Sequence, residues 1–210
     1  GWALVLEAGD GRLAYELAMR SDLKIVCIES SSKLMREARA HLKGTGLYGS
    51  RITMHKGKRK NLAYGDYFAN LIVADATSGI TWTQGSLTEV YASLRPYGGS
   101  LCVPGSKDFR DAFRAAVKAS KLTGASLSEG KGFTLLKKDG ALPGATNYLG
   151  EWAKSPDEGV RFPLGVLWFG DELGHFKRSP QPKFVDGVMV STPKKWTINQ
   201  NERTRNSDYR

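Results

Sequence analysis

Apolar residues come in short unbroken runs separated by amphipathic stretches, and this rhythm repeats over the first two thirds of the chain. Ala3-Leu4-Val5-Leu6 opens it, followed by Lys24-Ile25-Val26-Cys27-Ile28 and Phe68-Ala69-Asn70-Leu71-Ile72-Val73-Ala74. Continuous apolar runs of this length read as strands buried on both faces of a parallel sheet. Between them the period changes. Arg12 to Arg20 places Leu13 and Leu17 at i, i+4 beside Ala14 and Ala18, and about Lys33 to Lys43 places Leu34, Met35, Ala38 and Leu42 on one face. Both are helical stripes, and Ser30 to Ser32 offer N-caps for the second.

The alternation continues. Arg51 to His55 reads as a third strand, Tyr67 to Asp75 contains the fourth, and Leu87, Val90, Tyr91 and Leu94 share a helix face. Leu94-Arg95-Pro96-Tyr97-Gly98-Gly99 forms a tight turn before a fifth strand, Ser100 to Val103. Asp108 to Lys121 predicts a helix with Phe109, Phe113, Ala116 and Val117 inward, and Gly132 to Lys138 a sixth strand. Strands alternating with helices predict an α/β protein with a doubly wound, mostly parallel sheet over 1–140.

From Asp139-Gly140-Ala141-Leu142-Pro143-Gly144 onward the helical period disappears. Residues 141–190 hold Gly, Pro, Trp and short apolar runs, with Asp186-Gly187 between β-formers as a hairpin signal. This reads as an incomplete all-β segment, because a few strands bury too little apolar surface to stand alone. Residues 191–210 form a polar tail expected to be poorly ordered. With no initiator Met, and Gly1 directly before the first apolar run, the chain reads as a piece of a longer protein.

Composition narrows the picture. Hydrophobic residues are 40% and charged residues 25%, as in globular proteins. No apolar run is long enough for a membrane-spanning helix. Cys27 and Cys102 lie in apolar runs and read as buried free thiols, while His41, His55 and His175 have no metal-ligand spacing. The net charge of +10 falls mostly before residue 151, densest in His55-Lys56-Gly57-Lys58-Arg59-Lys60. Such a run can meet nucleic-acid phosphates, but without interleaved aromatics it reads as a solvated loop. The compartment stays open between cytoplasm and cell envelope.

The chemistry concentrates where the first strand ends, at Glu7-Ala8-Gly9-Asp10-Gly11. Glycines let a strand turn sharply into a helix whose N–H groups point back at the turn, the place where open α/β sheets bind nucleotides. Gly9-x-Gly11-x-x-Ala14 with Glu29 twenty residues after Gly9 also fits a dinucleotide fold, with the acid holding a ribose. Each residue has a plainer reading too. Gly9 and Gly11 can simply make the turn, Glu29 can be a solvated strand end, Glu7 a cap elsewhere, and Asp10 a turn residue.

Taken together, Val5-Leu6-Glu7-Ala8-Gly9-Asp10-Gly11, Glu29 at the end of the second strand, Phe68 to Asp75, and Leu94 to Gly99 resemble the ordered motifs of class I S-adenosylmethionine-dependent methyltransferases over about 1–138. The resemblance implies a Rossmann-like methyltransferase fold and an S-adenosylmethionine site formed by Glu7, Ala8, Gly9, Asp10, Gly11, Glu29, Ser30 and Asp75. Asp75 is the candidate to face the acceptor, with an ordinary loop acid as the alternative. The chain departs from the family at Leu13, where a third glycine is usual, and at Lys58, where an acid usually meets the adenine amino group. The acceptor is not named by the sequence. A non-catalytic scaffold of the same fold and an NAD(P)-binding oxidoreductase remain alternatives. Residues 141–190 resemble the entry strands of a pyrroloquinoline-quinone-binding-like β-propeller, fused after a methyltransferase-like domain as in planctomycete-type proteins, with further blades beyond Arg210.

Overall fold

Four consecutive residues of β1 (Trp2–Leu6), Ala3 to Leu6, are completely buried, because helices cover the sheet on both sides. The computed structural model describes residues 1–57, 64–74, 80–145, 183–186, 188–190, 197–198 and 205–206. Within 1–140 the elements run β1, α1 (Arg12–Arg20), β2 (Lys24–Glu29), α2 (Ser32–Lys43), β3 (Ile52–Lys56), β4 (Leu71–Ala74), α3 (Gln84–Ala92), β5 (Gly99–Pro104), α4 (Lys107–Ser120), β6 (Ala125–Gly130) and β7 (Phe133–Lys138). They form one seven-stranded sheet of order β3-β2-β1-β4-β5-β7-β6.

Strand alternation sorts the core into two layers. Leu4, Leu6, Val26 and Ile28 point to the side of α3 and α4, where they pack with Leu87, Val90, Phe113 and Val117. Ala3, Val5, Ile25 and Cys27 point to the side of α1 and α2, against Ala14, Ala18, Ala38 and Leu42. Each large side chain taken fully out of water contributes about 1.5–3 kcal/mol. Side chains cap the starts of α2, α3 and α4, the first of them within the Ser30 to Ser32 stretch that the sequence offers. Ser31 Oγ accepts the Leu34 N–H, Thr83 and Ser86 form a reciprocal capping box, and Ser106 Oγ accepts the Phe109 N–H.

Three expectations need correction. β6 has no counterpart in the sequence pattern; with β7 antiparallel to both β5 and β6, four of the six strand pairings remain parallel, as a mostly parallel sheet requires. β6 is an edge strand with no buried residue, so its pattern carries almost no apolar signal. The fourth strand is shorter than the apolar run over 68–74. Tyr67 sits at φ 63° and Ala69 makes a lone parallel bridge to Leu94, so regular pairing starts at Leu71. Leu94 lies beyond α3, which ends at Ala92 with Ser93 as its C-cap.

Residues 141–210 form a separate compact unit. Among its described residues β8 (Lys183–Val185) pairs antiparallel with β9 (Val188–Val190), as the Asp186-Gly187 signal leads one to expect. In the polar tail, β10 (Thr197–Ile198) pairs antiparallel with β11 (Arg205–Asn206). No helix among the described residues is long and apolar enough to cross a membrane.

Candidate functional site

β1 and β2 are parallel neighbours, with Leu6 opposite Ile28, so both strands deliver an acid to the same end of the sheet. The ladder extends one step further, where the Ala8 N–H donates to the Ile28 carbonyl at 3.1 Å. There the backbone reverses. Glu7, Gly9 and Gly11 take φ values of 51°, 55° and 80°. Such values suit glycine and are strained for glutamate. Gly11 has a second reason to lack a side chain: a Cβ there would lie 3.0 Å from Leu42 Cδ1, so the glycine lets α1 start close against α2.

The two acids cross between the turns. Glu29 Oε2 accepts the Gly9 N–H at 2.8 Å, and its Oε1 accepts the Ser31 N–H at 2.8 Å. Glu29 is only 3% exposed, so this carboxylate is satisfied by backbone inside the protein. In the other direction, Glu7 Oε2 accepts from the Ser30 hydroxyl at 2.7 Å and from the Ser30 N–H at 3.3 Å. Asp10 behaves as a helix-start residue, with Oδ1 accepting the Arg12 N–H at 3.0 Å.

Around the glycine turn lies an open cleft of about 490 Å³, lined by Val5, Glu7, Ala8, Gly9, Asp10, Arg12, Leu13 and Glu16. A Cβ built on Gly9 would meet nothing within 4 Å, so the turn presents bare backbone to this space. The structure therefore brings Glu7, Ala8, Gly9 and Asp10 to one cleft. Glu29 and Ser30 brace it from the adjacent turn, and Gly11 belongs to the α1–α2 contact. Asp75 and Lys58 lie outside the described residues. Sequence reasoning missed Glu16, which comes one turn after Arg12 on α1 and pairs with Arg20. Its i, i+4 partner hid it as an ordinary helix-surface acid. The charge of the lining is mixed: Glu7, Asp10 and Glu16 stand beside the Arg12 side chain, and Glu16 is paired with Arg20.

No protein-family model and no curated protein sequence matches this chain. Solved structures do match its fold. A candidate S-adenosyl-L-methionine-dependent methyltransferase from Methanococcus maripaludis superposes with a TM-score of 0.56 at 19% identity, over 66% of this chain and 77% of that one. A SAM-dependent methyltransferase from Aquifex aeolicus gives 0.53 at 14% identity, over 65% and 80%. Phosphoethanolamine N-methyltransferase 2 from Haemonchus contortus, solved in complex with S-adenosyl-L-methionine, gives 0.50 at 14% identity, over 60% and 34%. The chain thus spans between about a third and four fifths of the length of these structures. At these identities the likeness is one of fold: residues 1–140 have the Rossmann-like methyltransferase fold.

Proposed function

We propose that residues 1–140 bind S-adenosylmethionine at the β1–β2 turns and serve methyl transfer to an acceptor that the chain itself does not reveal. The observation that carries this reading is the pair of crossed carboxylates beneath an open glycine turn, in a sheet of order β3-β2-β1-β4-β5-β7-β6. An antiparallel β7 between β5 and β6 separates this sheet from the dinucleotide fold, whose order is 3-2-1-4-5-6, and argues against the nicotinamide alternative. Neighbours of the same fold are S-adenosylmethionine-dependent methyltransferases, one of them solved with that compound bound.

The residues fit such a ligand in chemical type. Gly9 offers bare backbone, and Glu7 and Asp10 bring carboxylates to the cleft beside the Arg12 side chain, with Glu16 paired to Arg20. Bound there, S-adenosylmethionine would supply a methyl carbon activated by a sulfonium leaving group. The chain's own task is then positioning: Glu7 would face the cationic end, Glu29 would keep the Gly9 turn closed, and acceptor alignment would provide most of the rate. Asp75 remains the candidate to meet the acceptor.

Calorimetric titration of the full chain with S-adenosylmethionine tests the reading. Saturable binding that Glu29→Ala abolishes is the expected result, and heats no larger than dilution up to millimolar ligand overturn it. A second reading, a methyltransferase-fold domain that binds a partner without chemistry, is favoured by one observation. Both Glu29 oxygens are already engaged by backbone N–H groups in a buried position. For 141–190 we propose the opening of a β-propeller on the resemblance of its residues alone; the β8–β9 hairpin supports only an antiparallel β segment there.

A further inference from the structure

The turn after β2 carries a side chain whose geometry goes beyond this reading. Ser30 is exposed, yet its hydroxyl and its N–H both converge on the same oxygen, Glu7 Oε2. Glu7 in turn sits at φ 51°, a conformation that a non-glycine residue holds only when its surroundings enforce it. Among the described residues its other oxygen, Oε1, accepts no hydrogen bond, and Glu7 lines the cleft. The neighbouring acid has the opposite character, since Glu29 is buried with both oxygens taken. The two carboxylates at the sheet end therefore differ: Glu29 braces backbone with both oxygens, and Glu7, which lines the cleft, is held among the described residues at a single oxygen.

We propose that Ser30 is a positioning residue, acting through Glu7, that sets affinity for the positively charged amino-acid end of the ligand. The inference rests on the reading of the site as an S-adenosylmethionine site. A glutamate side chain has three free torsions, and two donors on one oxygen remove most of that freedom before a ligand arrives. Without the hydroxyl, Glu7 keeps only the longer 3.3 Å contact to the Ser30 N–H.

The test compares two probes by calorimetry on the full chain. S-adenosylmethionine carries the ammonium and sulfonium, while 5′-methylthioadenosine keeps the adenosine and lacks both charges. Ser30→Ala is expected to weaken S-adenosylmethionine by about three- to tenfold, the scale of a partly exposed charge-assisted hydrogen bond, and to leave methylthioadenosine unchanged. Ser30→Thr, which retains a hydroxyl, should restore wild-type binding. The double variant Ser30→Ala/Glu7→Gln should bind no worse than Glu7→Gln alone, because Ser30 acts only through that carboxylate. Equal losses for both probes, no loss for either, or additive losses in the double variant overturn the inference while leaving the functional reading intact. A wild-type chain that binds neither probe overturns that reading and this inference with it.

Discussion

The Glu29 carboxylate of β2 accepts the Gly9 N–H of the β1 turn at 2.8 Å, joining residues twenty apart in sequence where two parallel strands end. Its second oxygen accepts the Ser31 N–H at the same distance, at the start of α2. One buried side chain thus ties together a glycine turn and a helix N-terminus. Glu29→Ala leaves both N–H groups without that acceptor, and an unmet buried donor costs about 1–3 kcal/mol. The expected outcome is a clear fall in the urea midpoint with an unchanged m-value. Glu29→Gln should fall less, since its amide oxygen still serves one of the two donors. A midpoint for Glu29→Ala equal to wild type would show that the brace carries no stability.

Much of this arrangement is visible in the residues before any coordinates. β1, α1, β2 and α2 follow from unbroken apolar runs, an i, i+4 stripe and a serine cap, because burial on two faces leaves little freedom of pattern. β6 does not follow, since Ser126, Ser128 and Glu129 stand on an exposed edge and burial imposes nothing on them. The crossed acids are an intermediate case. Both strands visibly end at a glutamate, but Glu7 meets Ser30 only because the register sets Leu6 opposite Ile28. A parallel register is a property of the assembled sheet, which local spacing does not contain.

The turn into β5 leaves no room for a side chain against fixed backbone. A Cβ on Gly99 would lie 2.4 Å from the Arg95 carbonyl oxygen, 2.8 Å from the Arg95 nitrogen and 3.1 Å from the Ala69 oxygen. All three are backbone atoms, so no side chain can swing away. Gly11→Ala instead meets the tip of Leu42 at 3.0 Å, at a φ of 80° that costs an alanine about 1–2 kcal/mol. Thermal melts should show a shifted but cooperative transition for Gly11→Ala. Gly99→Ala should lose the cooperative transition altogether, and the reverse ranking would contradict the backbone origin of the constraint.

Alkaline pH should expose the α3 contact with the segment before β6. The Tyr91 hydroxyl donates to the Thr123 carbonyl at 2.8 Å. Burial, with a smaller contribution from the Asp139 charge, pushes its pKa from 10.0 up to about 12. The unfolded chain therefore releases this proton near pH 10, while the folded chain holds it until about pH 12. Between those values the folded state binds more protons, so stability falls as pH rises; below pH 10 the contribution is fully present. Tyr91→Phe lacks this linkage. The stability advantage of wild type over Tyr91→Phe should shrink between pH 9 and pH 11.5 when urea midpoints are compared. A constant difference would rule out the proposed titration.

Cys27 offers a direct reporter of the sheet centre. It is fully buried in β2, between Val5 of β1 and Met54 of β3, and burial pushes its thiol from 9.0 up to about 12. Cys102 on β5 is half-buried, and its thiol is raised by burial as well. Thiolate is the reactive form, so both should be slow toward a disulfide reagent at pH 8, with Cys102 reacting first. Cys27 can react only when β1, β2 and β3 separate, which makes its labelling rate a measure of that opening. Low urea should therefore accelerate Cys27 more steeply than Cys102, because its opening exposes more surface. Glu29→Ala, which loosens the ends of the same strands, should accelerate Cys27 and leave Cys102 near its wild-type rate. If S-adenosylmethionine binds at the crossed turns it stabilises the closed sheet, and saturating ligand should slow Cys27 labelling selectively. Equal acceleration of both cysteines in Glu29→Ala would place the effect of the brace on the whole domain rather than on the β1–β2 pair.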